Sequence, residues 1–465
     1  MTVPPPRPFF ASPIVGDGAT NESRRLLLVS VAYPPSAEVG SLRWQKLAQA
    51  AFARGITTDV IMVDPLDPEL REESRLTEVP PDARLYDVPI REIAVQRFQW
   101  MVRRIVRRTM HAGRPGRDEA AEGPIVGPFR NSGAWSAQMG RAYRAWAHYA
   151  QWEDWAKRAA SLGADLASHT QYEAVVSSGP PHMAHEAARR IAEAAHCPLI
   201  IDLRDPWYSD DVEPRAMRSA LWRARASRYE RQCVERSSLV VVNTDSCRSL
   251  MVERYPSMSE RFLTVMNGAD ADVASEQSQE KRFIISHAGS LYGGRTPRSL
   301  FRAVACVVRK LGLTPDDLGV RFMGGTTFHD VPLQTLAAED GIGPFFACES
   351  RRPRAEALAL IRDSAMVAVL PQEFVHSIPG KVFEYVQLAA WPLVLTERGT
   401  ATDALLRDTG ADVVHPDDVD AIADAIEQRY LAFRAGVRPT PINADGRFNR
   451  DRQAAKLLDA IDRIA

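Results

Sequence analysis

Residues 366–397 read MVAVLPQEFVHSIPGKVFEYVQLAAWPLVLTE. The apolar runs at 367–370 and 392–396 predict two buried strands. Between them, a loop that contains Gly380 leads into a predicted helix opened by Lys381. Backbone N–H groups and a cation at the start of a helix can converge on a phosphate. A strand, a helix and a second strand in this order favour an α/β fold with an anion site in the loop.

Glu384 follows Lys381 by three residues and lies on the same face of the predicted helix. A carboxylate in that place can accept a sugar hydroxyl, so the pair is typical of a nucleotide site. The alternative is an ordinary surface Lys–Glu pair, which contributes a few tenths of a kcal/mol. From these two residues alone, both interpretations stay open.

The composition narrows the class of protein. With 465 residues, 45% of them hydrophobic, the chain is long enough for two or three globular domains. A formal net charge of −1 argues against nucleic acid as a partner, because proteins that bind it carry a basic excess. No stretch reaches the ~20 apolar residues of a membrane span.

The five cysteines lie far apart and show no metal-ligand spacing. We therefore expect reduced core residues of a cytoplasmic protein, and no metal site. They are Cys197, Cys233, Cys247, Cys306 and Cys348.

The first half of the chain repeats the strand–loop–helix pattern. Residues 1–23, rich in proline and small polar residues, predict a disordered tail. An apolar strand at 26–32 then leads through the loop at 33–40 to a helix at 41–54. That loop does not match the dinucleotide fingerprint, but it lies where open α/β sheets bind ligands. Further strands are predicted at 59–63, 174–177, 199–203, 239–243 and 262–266.

The second half begins after a polar linker at 271–281. Its first strand starts at Phe283, and a final helix at 447–464 is expected to cross back onto the first half. The other predicted strands are 320–323, 345–348, 367–370, 393–395 and 412–414. We expect two facing Rossmann-like domains, 24–270 and 282–440, with a ligand cleft between them and a C-terminal segment at 441–465.

Residues 91–160 form an insert of distinct composition within the first domain. They hold 13 Arg or Lys against 6 Asp or Glu, together with five tryptophans. A basic amphipathic helix predicted at 93–110 is typical of binding to an anionic membrane surface. The alternative is an ordinary surface helix with solvated arginines.

A glycine loop follows the first strand of the second half and reads HAGSLYGGR at 287–295. Its glycines let backbone approach an anion, and Arg295 can bind diphosphate oxygens. Together with Lys381, this arrangement suits a nucleotide diphosphate leaving group. The alternative is a tight turn with a solvated arginine.

These motifs together resemble GT-B glycosyltransferases, in particular the retaining group called glycosyltransferase family 4. The resemblance runs in the family's order from residue 24 onward. Its motifs are YPP…G at 33–40, SSGPPHMAHE at 177–186, DLRDPW at 202–207, VMNGAD at 265–270, HAGSLYGGR at 287–295 and PGKVFEY at 379–385.

The resemblance implies roles for residues of the second domain, which would hold a nucleotide-sugar without a metal or other cofactor. Arg295 and Lys381 would bind the diphosphate, and Glu384 would bind the ribose hydroxyls. The family's first acid falls on His376, which leaves the contact to the transferred sugar open. The remaining donor-side candidates are Gly289, Ser290 and Tyr292.

In the first half, the resemblance assigns His182 to the reacting sugar, although a histidine at a helix start is often a cap. His185 is its competitor. Arg204 and Asp205 end the neighbouring strand and form either a catalytic contact or a loop-shaping salt bridge. Glu38 and Gly40 belong to the loop on the acceptor side.

The expected activity is retaining transfer of a hexose-type sugar to an acceptor hydroxyl. A lipid-linked saccharide or polysaccharide precursor at the inner face of the cell membrane fits the basic insert, and a soluble acceptor stays open. The alternatives are a nucleotide-sugar 2-epimerase of the same fold and a non-catalytic protein that binds a nucleotide-sugar.

Overall fold

The structure, a computed structural model, describes residues 24–65, 67, 70–91, 134–208, 220–270, 281–291, 294–352, 354–372 and 375–464. The chain divides into two compact units. The first comprises the chain up to residue 241 together with 258–263 and 460–465, and the second comprises 242–257 and 264–459.

The first unit is built on a seven-stranded sheet. Its strands are β1 (Arg24–Ser30), β2 (Ile56–Met62), β3 (Leu85–Asp87), β4 (Ala174–Gly179), β5 (Leu199–Leu203), β6 (Leu239–Val242) and β7 (Phe262–Thr264). Its helices are α1 (Val39–Ala53), α2 (Ala134–His169), α3 (Met183–Ala194) and α4 (Ala220–Arg236). The strand order is β3-β2-β1-β4-β5-β6-β7, and the register from β3 to β5 is parallel.

The apolar run in β1 behaves as a buried parallel strand should. Leu26, Leu27, Leu28 and Val29 have no exposed surface, because helices cover both faces of such a sheet. β4 extends two residues beyond the predicted strand, to Gly179. Its polar end pairs with β5 in parallel register, which hydrophobic periodicity does not reveal.

The second unit is built on a six-stranded sheet. The strands of this sheet are β8 (Phe283–Gly289), β9 (Leu318–Gly324), β12 (Phe346–Ser350), β13 (Met366–Val369), β14 (Trp391–Leu395) and β15 (Asp412–Val414). Two further strands of the unit, β10 (Thr327–Phe328) and β11 (Val331–Pro332), lie outside it. Its helices are α5 (Asp245–Arg254), α6 (Arg298–Leu311), α7 (Leu333–Glu339), α8 (Arg354–Arg362), α9 (Gly380–Tyr385), α10 (Ala401–Leu406), α11 (Val419–Arg434) and α12 (Arg450–Ile461).

All neighbours in the order β12-β9-β8-β13-β14-β15 pair in parallel, and β10 and β11 form a separate antiparallel ribbon. The predicted α/β class with two parallel sheets is therefore confirmed. The hydrophobic core of the second unit lies between its sheet and its helices, where Phe283, Phe301 and Phe322 are almost fully buried.

Helix α9 is shorter than the sequence predicts. The apolar pattern extends to Leu388, but the helix ends at Tyr385 and the chain continues in tight turns with bonds such as Gln387 N–H to Glu384 O, 3.2 Å. Val386 and Leu388 are buried all the same. The chain therefore continues toward β14 outside the helix, and its apolar residues stay buried although they no longer follow the helical period.

The structure describes only part of the predicted insert and none of the predicted tail. The predicted basic helix at 93–110 and the tail at 1–23 lie outside the described residues. The later part of the insert lies in α2, where Trp155 is fully buried and its Nε1 donates to Val88 O over 2.8 Å. That tryptophan is a packing residue. At the end of the chain, Asp462 pairs with Arg24 at 2.8 Å.

Among the described residues, no helix combines the length and apolar character needed to cross a membrane.

Candidate active site

In the second unit, the carboxyl end of β8 meets the start of α9. The ammonium of Lys381 lies directly against the Cα of Gly289, in the space that a side chain at residue 289 would fill. Gly289 has a φ of +131°, which L side chains rarely adopt. The adjacent ammonium and the positive φ both require glycine at residue 289. The end of β8 therefore lies beside a cation.

The end of β9 packs against the same point. Gly324 also has a φ of +131°, and a Cβ on it would lie 2.8 Å from the carbonyl oxygen of Gly289. A Cβ on Gly325 would lie 3.5 Å from the exposed Ser290. The two strand ends therefore approach each other backbone to backbone, at a distance that a side chain on Gly324 would not allow.

The charges at this edge would favour a bound anion. Burial and the nearby charge of Arg295 together lower the pKa of Lys381 to about 8, and Glu384 acts in the opposite direction. Arg295 is itself 5% exposed. Holding two cations together is unfavourable in the absence of an anion, and a diphosphate would relieve the repulsion.

Tyr385, one residue after Glu384, fixes the end of β8. Its hydroxyl accepts from Ala288 N–H over 2.8 Å and donates to Ala288 O over 3.3 Å. Its ring is 1% exposed. These two bonds hold α9, which carries Lys381, against the end of β8, which carries Gly289. Glu384 is half-buried beside Lys381.

His287 is a buried residue at this edge that sequence reasoning did not select. Its Nδ1 lies 2.9 Å from Ala368 O, and a carbonyl can only accept, so Nδ1 carries the proton. Burial and the charges of Lys381 and Arg295 hold the pKa of His287 well below its usual range. The imidazole is therefore neutral, with an unprotonated Nε2.

His376, which falls where the family has an acid, is anchored to the start of α5. Its Nδ1 lies 2.8 Å from Ser246 Oγ, and its carbonyl accepts from Thr244 Oγ1 over 2.6 Å. Thr244 also caps α5 by accepting from Cys247 N–H. The ring is half-buried and fixed in direction. Tyr292 lies outside the described residues.

In the first unit, the carboxyl ends of β4 and β5 bring two histidines together. A Cβ on Gly179 would lie 2.7 Å from His185 Nε2 and 3.1 Å from His182 Nδ1, so glycine makes room for both. The ring of Trp207 stacks on His182 with centroids 5.2 Å apart. His185 lies 5.4 Å from the same tryptophan.

The two histidines differ in exposure. His185 is fully buried, its Nδ1 lies 2.8 Å from Ser177 Oγ, and burial lowers its pKa to about 3. His182 is half-buried, and burial together with His185 and Arg204 holds its pKa well below the usual range. Both are neutral near pH 7, and the more accessible His182 is the better placed to contact a ligand.

Arg204 extends from the end of β5 to the first turn of α1, where the structure places Gly40 instead of in the predicted loop. Its guanidinium lies against the Cα of Gly40 and donates to Pro180 O. Burial lowers its pKa, whereas Asp202, Asp205 and Glu38 act to raise it. Glu38 is exposed and precedes α1. The structure thus gathers the sequence-selected residues of the first half around one strand edge.

Asp202 holds this edge together and was missed as a candidate. It is fully buried and accepts two bonds of 2.9 Å from Arg43, one of 2.8 Å from Trp44 Nε1 and one of 3.1 Å from Ser178 Oγ. All of its partners lie in the same unit. It is a structural carboxylate that fixes α1 against β4 and β5.

Comparison with known proteins places this geometry in context. No protein-family model matches the chain. A curated D-inositol 3-phosphate glycosyltransferase from Corynebacterium kroppenstedtii is 28% identical over 158 residues, which cover 30% of this chain. The match spans only 34% of that relative's length.

Solved structures match over nearly the whole chain. A glycosyltransferase from Rickettsia africae has a TM-score of 0.60 at 10% identity and covers 96% of this chain and 99% of its own. HepE from Anabaena, solved with UDP and glucose, has a TM-score of 0.57 at 11% identity over 95% and 100% of the two chains.

A UDP-forming trehalose-phosphate synthase from Burkholderia xenovorans has a TM-score of 0.57 at 15% identity, over 95% of this chain and 99% of its own. Identities this low establish the fold alone. The chain therefore has the fold of the GT-B glycosyltransferases, with two parallel α/β sheets.

Proposed function

We propose that the protein is a glycosyltransferase that moves a sugar from a nucleotide diphosphate-sugar to an acceptor hydroxyl with retention of the anomeric configuration. One observation carries the proposal: the half-buried Lys381 lies against Gly289, beside a buried second cation, Arg295. The fold supports it, as does the curated relative, whose name describes a glycosyltransferase.

The residues of the second unit suit the departure of a diphosphate. As the bond between the sugar carbon and the diphosphate oxygen breaks, negative charge grows on that oxygen. Lys381 and Arg295 would stabilise it, together with the backbone N–H groups near Gly289. The acceptor oxygen forms the new bond, and its proton passes to the leaving phosphate. Two cations would supply this stabilisation without a metal.

Other donor contacts follow from the same proposal. Glu384 would accept the ribose hydroxyls one helical turn from Lys381. His376 would contact the transferred sugar through its Nε2, since Ser246 engages its Nδ1. Ser290 would line the diphosphate beside Gly289, and Tyr292 remains a candidate for donor binding.

The first unit would supply the acceptor side. His182, neutral near pH 7, would hydrogen-bond a sugar hydroxyl, and Trp207 would fix its ring. Arg204 would contact the acceptor, with Asp205 shaping its loop and with Glu38 and Gly40 at the rim. The resemblance and the position of these residues at one strand edge both support these roles.

A direct assay tests the activity. Incubation with UDP-glucose and a panel of sugar acceptors should release UDP only when acceptor is present, and proton NMR should show the donor's anomeric configuration in the product. Lys381→Ala should abolish release, whereas Lys310→Ala, which removes an exposed lysine of the same unit, should not. EDTA should leave the rate unchanged.

The same assay distinguishes the alternatives. An epimerase would convert the donor sugar without acceptor and without releasing UDP. A non-catalytic binder would bind UDP and turn over no donor on any acceptor. Either result would replace the transferase assignment while leaving the donor site in place.

We further propose an acceptor carried at a membrane surface, as in polysaccharide biosynthesis. The support is the excess of 13 basic over 6 acidic residues in the insert at 91–160. Co-sedimentation with vesicles of anionic lipid should show binding at low salt that is lost at high salt. No binding at low salt would remove this part of the proposal, with a soluble acceptor as the remaining choice.

A further inference from the structure

His287 contributes a buried acceptor to the edge that carries Lys381. The residue lies in β8, two positions before Gly289, and its side chain is 1% exposed. Its protonated Nδ1 is committed to Ala368 O. Its Nε2 is fully buried and has no hydrogen-bond partner in the described chain. Buried acceptors without partners are uncommon, because desolvation is then uncompensated.

The surroundings of Nε2 leave Lys381 as the natural partner. One face of the imidazole packs on Phe322 with centroids 5.0 Å apart. A Cβ built on Gly289 would touch the Lys381 ammonium and would lie 4.0 Å from His287 Nε2. Both nitrogens therefore border the same small space. The lysine stem is flexible, so rotation about its bonds can carry the ammonium toward Nε2.

A neutral imidazole suits this position better than a carboxylate would. An ammonium has three N–H donors, and one bond to Nε2 leaves two for phosphate oxygens. A carboxylate would hold the lysine equally well but would cancel its charge and repel the diphosphate. An uncharged acceptor orients the cation and keeps its charge available.

We propose that His287 is a positioning residue for diphosphate binding: its Nε2 accepts a hydrogen bond from the Lys381 ammonium and directs that cation at the phosphate oxygens. The inference rests on the proposed function, since it names a second residue behind the same donor site. The titratable groups around the pair are Arg295 and Glu384.

Titration calorimetry with UDP as the probe tests this assignment. His287→Phe keeps an aromatic ring against Phe322 and removes the acceptor, so the Kd for UDP should rise about ten- to hundredfold, the range of a bond to a charged group. His287→Gln, which restores an acceptor near the position of Nε2, should recover most of the affinity.

A double-mutant cycle separates positioning from packing. In a Lys381→Met background, His287→Phe should weaken UDP binding by less than about twofold, because the group through which it acts is gone. With Lys381 present, the same change should shift the pH at which UDP affinity falls to a lower value, since the ammonium loses a stabilising acceptor. A purely structural role would weaken UDP binding equally in both backgrounds and would leave the pH profile unchanged.

Ser286→Ala provides the matched control. Ser286 is the neighbouring residue of β8, fully buried, and its hydroxyl bonds Ser364 Oγ at 2.6 Å. Its loss should lower stability and leave the pH profile of UDP binding unchanged. Equal UDP affinity in His287→Phe and the wild type would overturn the inference, as would equal losses with and without Lys381. Failure of the wild type to bind UDP would instead count against the proposed function.

Discussion

The Lys381 ammonium occupies the space that a side chain on Gly289 would fill. The two residues come from different strand–helix connections of one sheet, and Tyr385 holds those connections together through Ala288. A cation, a glycine with a φ of +131° and a backbone edge thus coincide. Each feature alone is common, and their coincidence is the basis on which we propose an anion site at this edge.

Gly289→Ala should therefore abolish donor binding. The new methyl group would displace the ammonium, and the left-handed backbone would cost about 1–3 kcal/mol of folding free energy. UDP affinity, measured by calorimetry, should fall at least tenfold. Gly312→Ala is the control, since Gly312 has a φ of +65° with no atom within 4 Å of a built Cβ. It should lower stability and leave UDP affinity intact; a similar affinity loss in both variants would point to a general folding effect.

Donor binding should weaken as the pH rises through about 8, where Lys381 loses its proton. The depressed pKa also means that the folded chain binds fewer protons than the unfolded chain between that pH and the ordinary lysine value. Unliganded stability should therefore rise with pH across this window. Lys381→Met should flatten the binding profile and raise the Tm of the unliganded protein. A wild-type affinity independent of pH from 7 to 9.5 would contradict the assignment.

His376→Ala should separate sugar recognition from nucleotide binding. If Nε2 contacts the transferred sugar, UDP-glucose affinity should fall about tenfold and UDP affinity should not change. Ser246→Ala, which frees the ring from its 2.8 Å bond, should reproduce part of the effect. Equal losses for UDP and UDP-glucose would place His376 in the loop's structure instead of at the sugar.

Gly40→Ala should reduce turnover by displacing the guanidinium of Arg204. We expect a fall of at least tenfold in kcat/KM for the acceptor, with the Kd for UDP unaltered. In an Arg204→Ala background the same change should have little further effect, because the side chain it displaces is absent. Additive losses would show that Gly40 acts through another contact.

Asp202→Asn should lower the folding stability of the first unit, because the role of Asp202 is structural. The change leaves Arg43, 4% exposed, without its carboxylate, and breaking a buried pair in this way costs about 3–5 kcal/mol. Urea unfolding measures the loss. Lys310→Met, which breaks the exposed pair with Glu427, should cost less than about 1 kcal/mol. Comparable losses would mean that the Asp202 cluster is not a structural centre.

The sequence allowed the sheets to be predicted because their central strands are apolar on both faces. Residues 26–29 and 367–370 show this most clearly, and both runs are buried. The glycines and cations of 287–295 and 379–385 stood out for the same reason, since glycine and charged residues interrupt an otherwise apolar pattern. Such patterns do not show which strands pair with each other. The paired strands β10 and β11 have two residues each, which is too short for a periodic signal.

The missed residues share a different property. Asp202 and His287 lie within apolar strands, where a lone polar residue is difficult to interpret from sequence. Their roles depend on partners far along the chain, such as Arg43 for the first and Ala368 for the second. A polar residue inside a predicted buried strand was the available signal, because burial of such a group requires a partner.

The most direct test of the central claim is calorimetric titration of the wild-type protein with UDP, UMP and uridine, repeated with Lys381→Ala. We predict that UDP binds at least tenfold more tightly than UMP, and that Lys381→Ala removes this difference while uridine binding stays the same. If UDP and UMP bind the wild type equally, or if Lys381→Ala preserves the preference, the edge formed by Lys381 and Gly289 is not a diphosphate site.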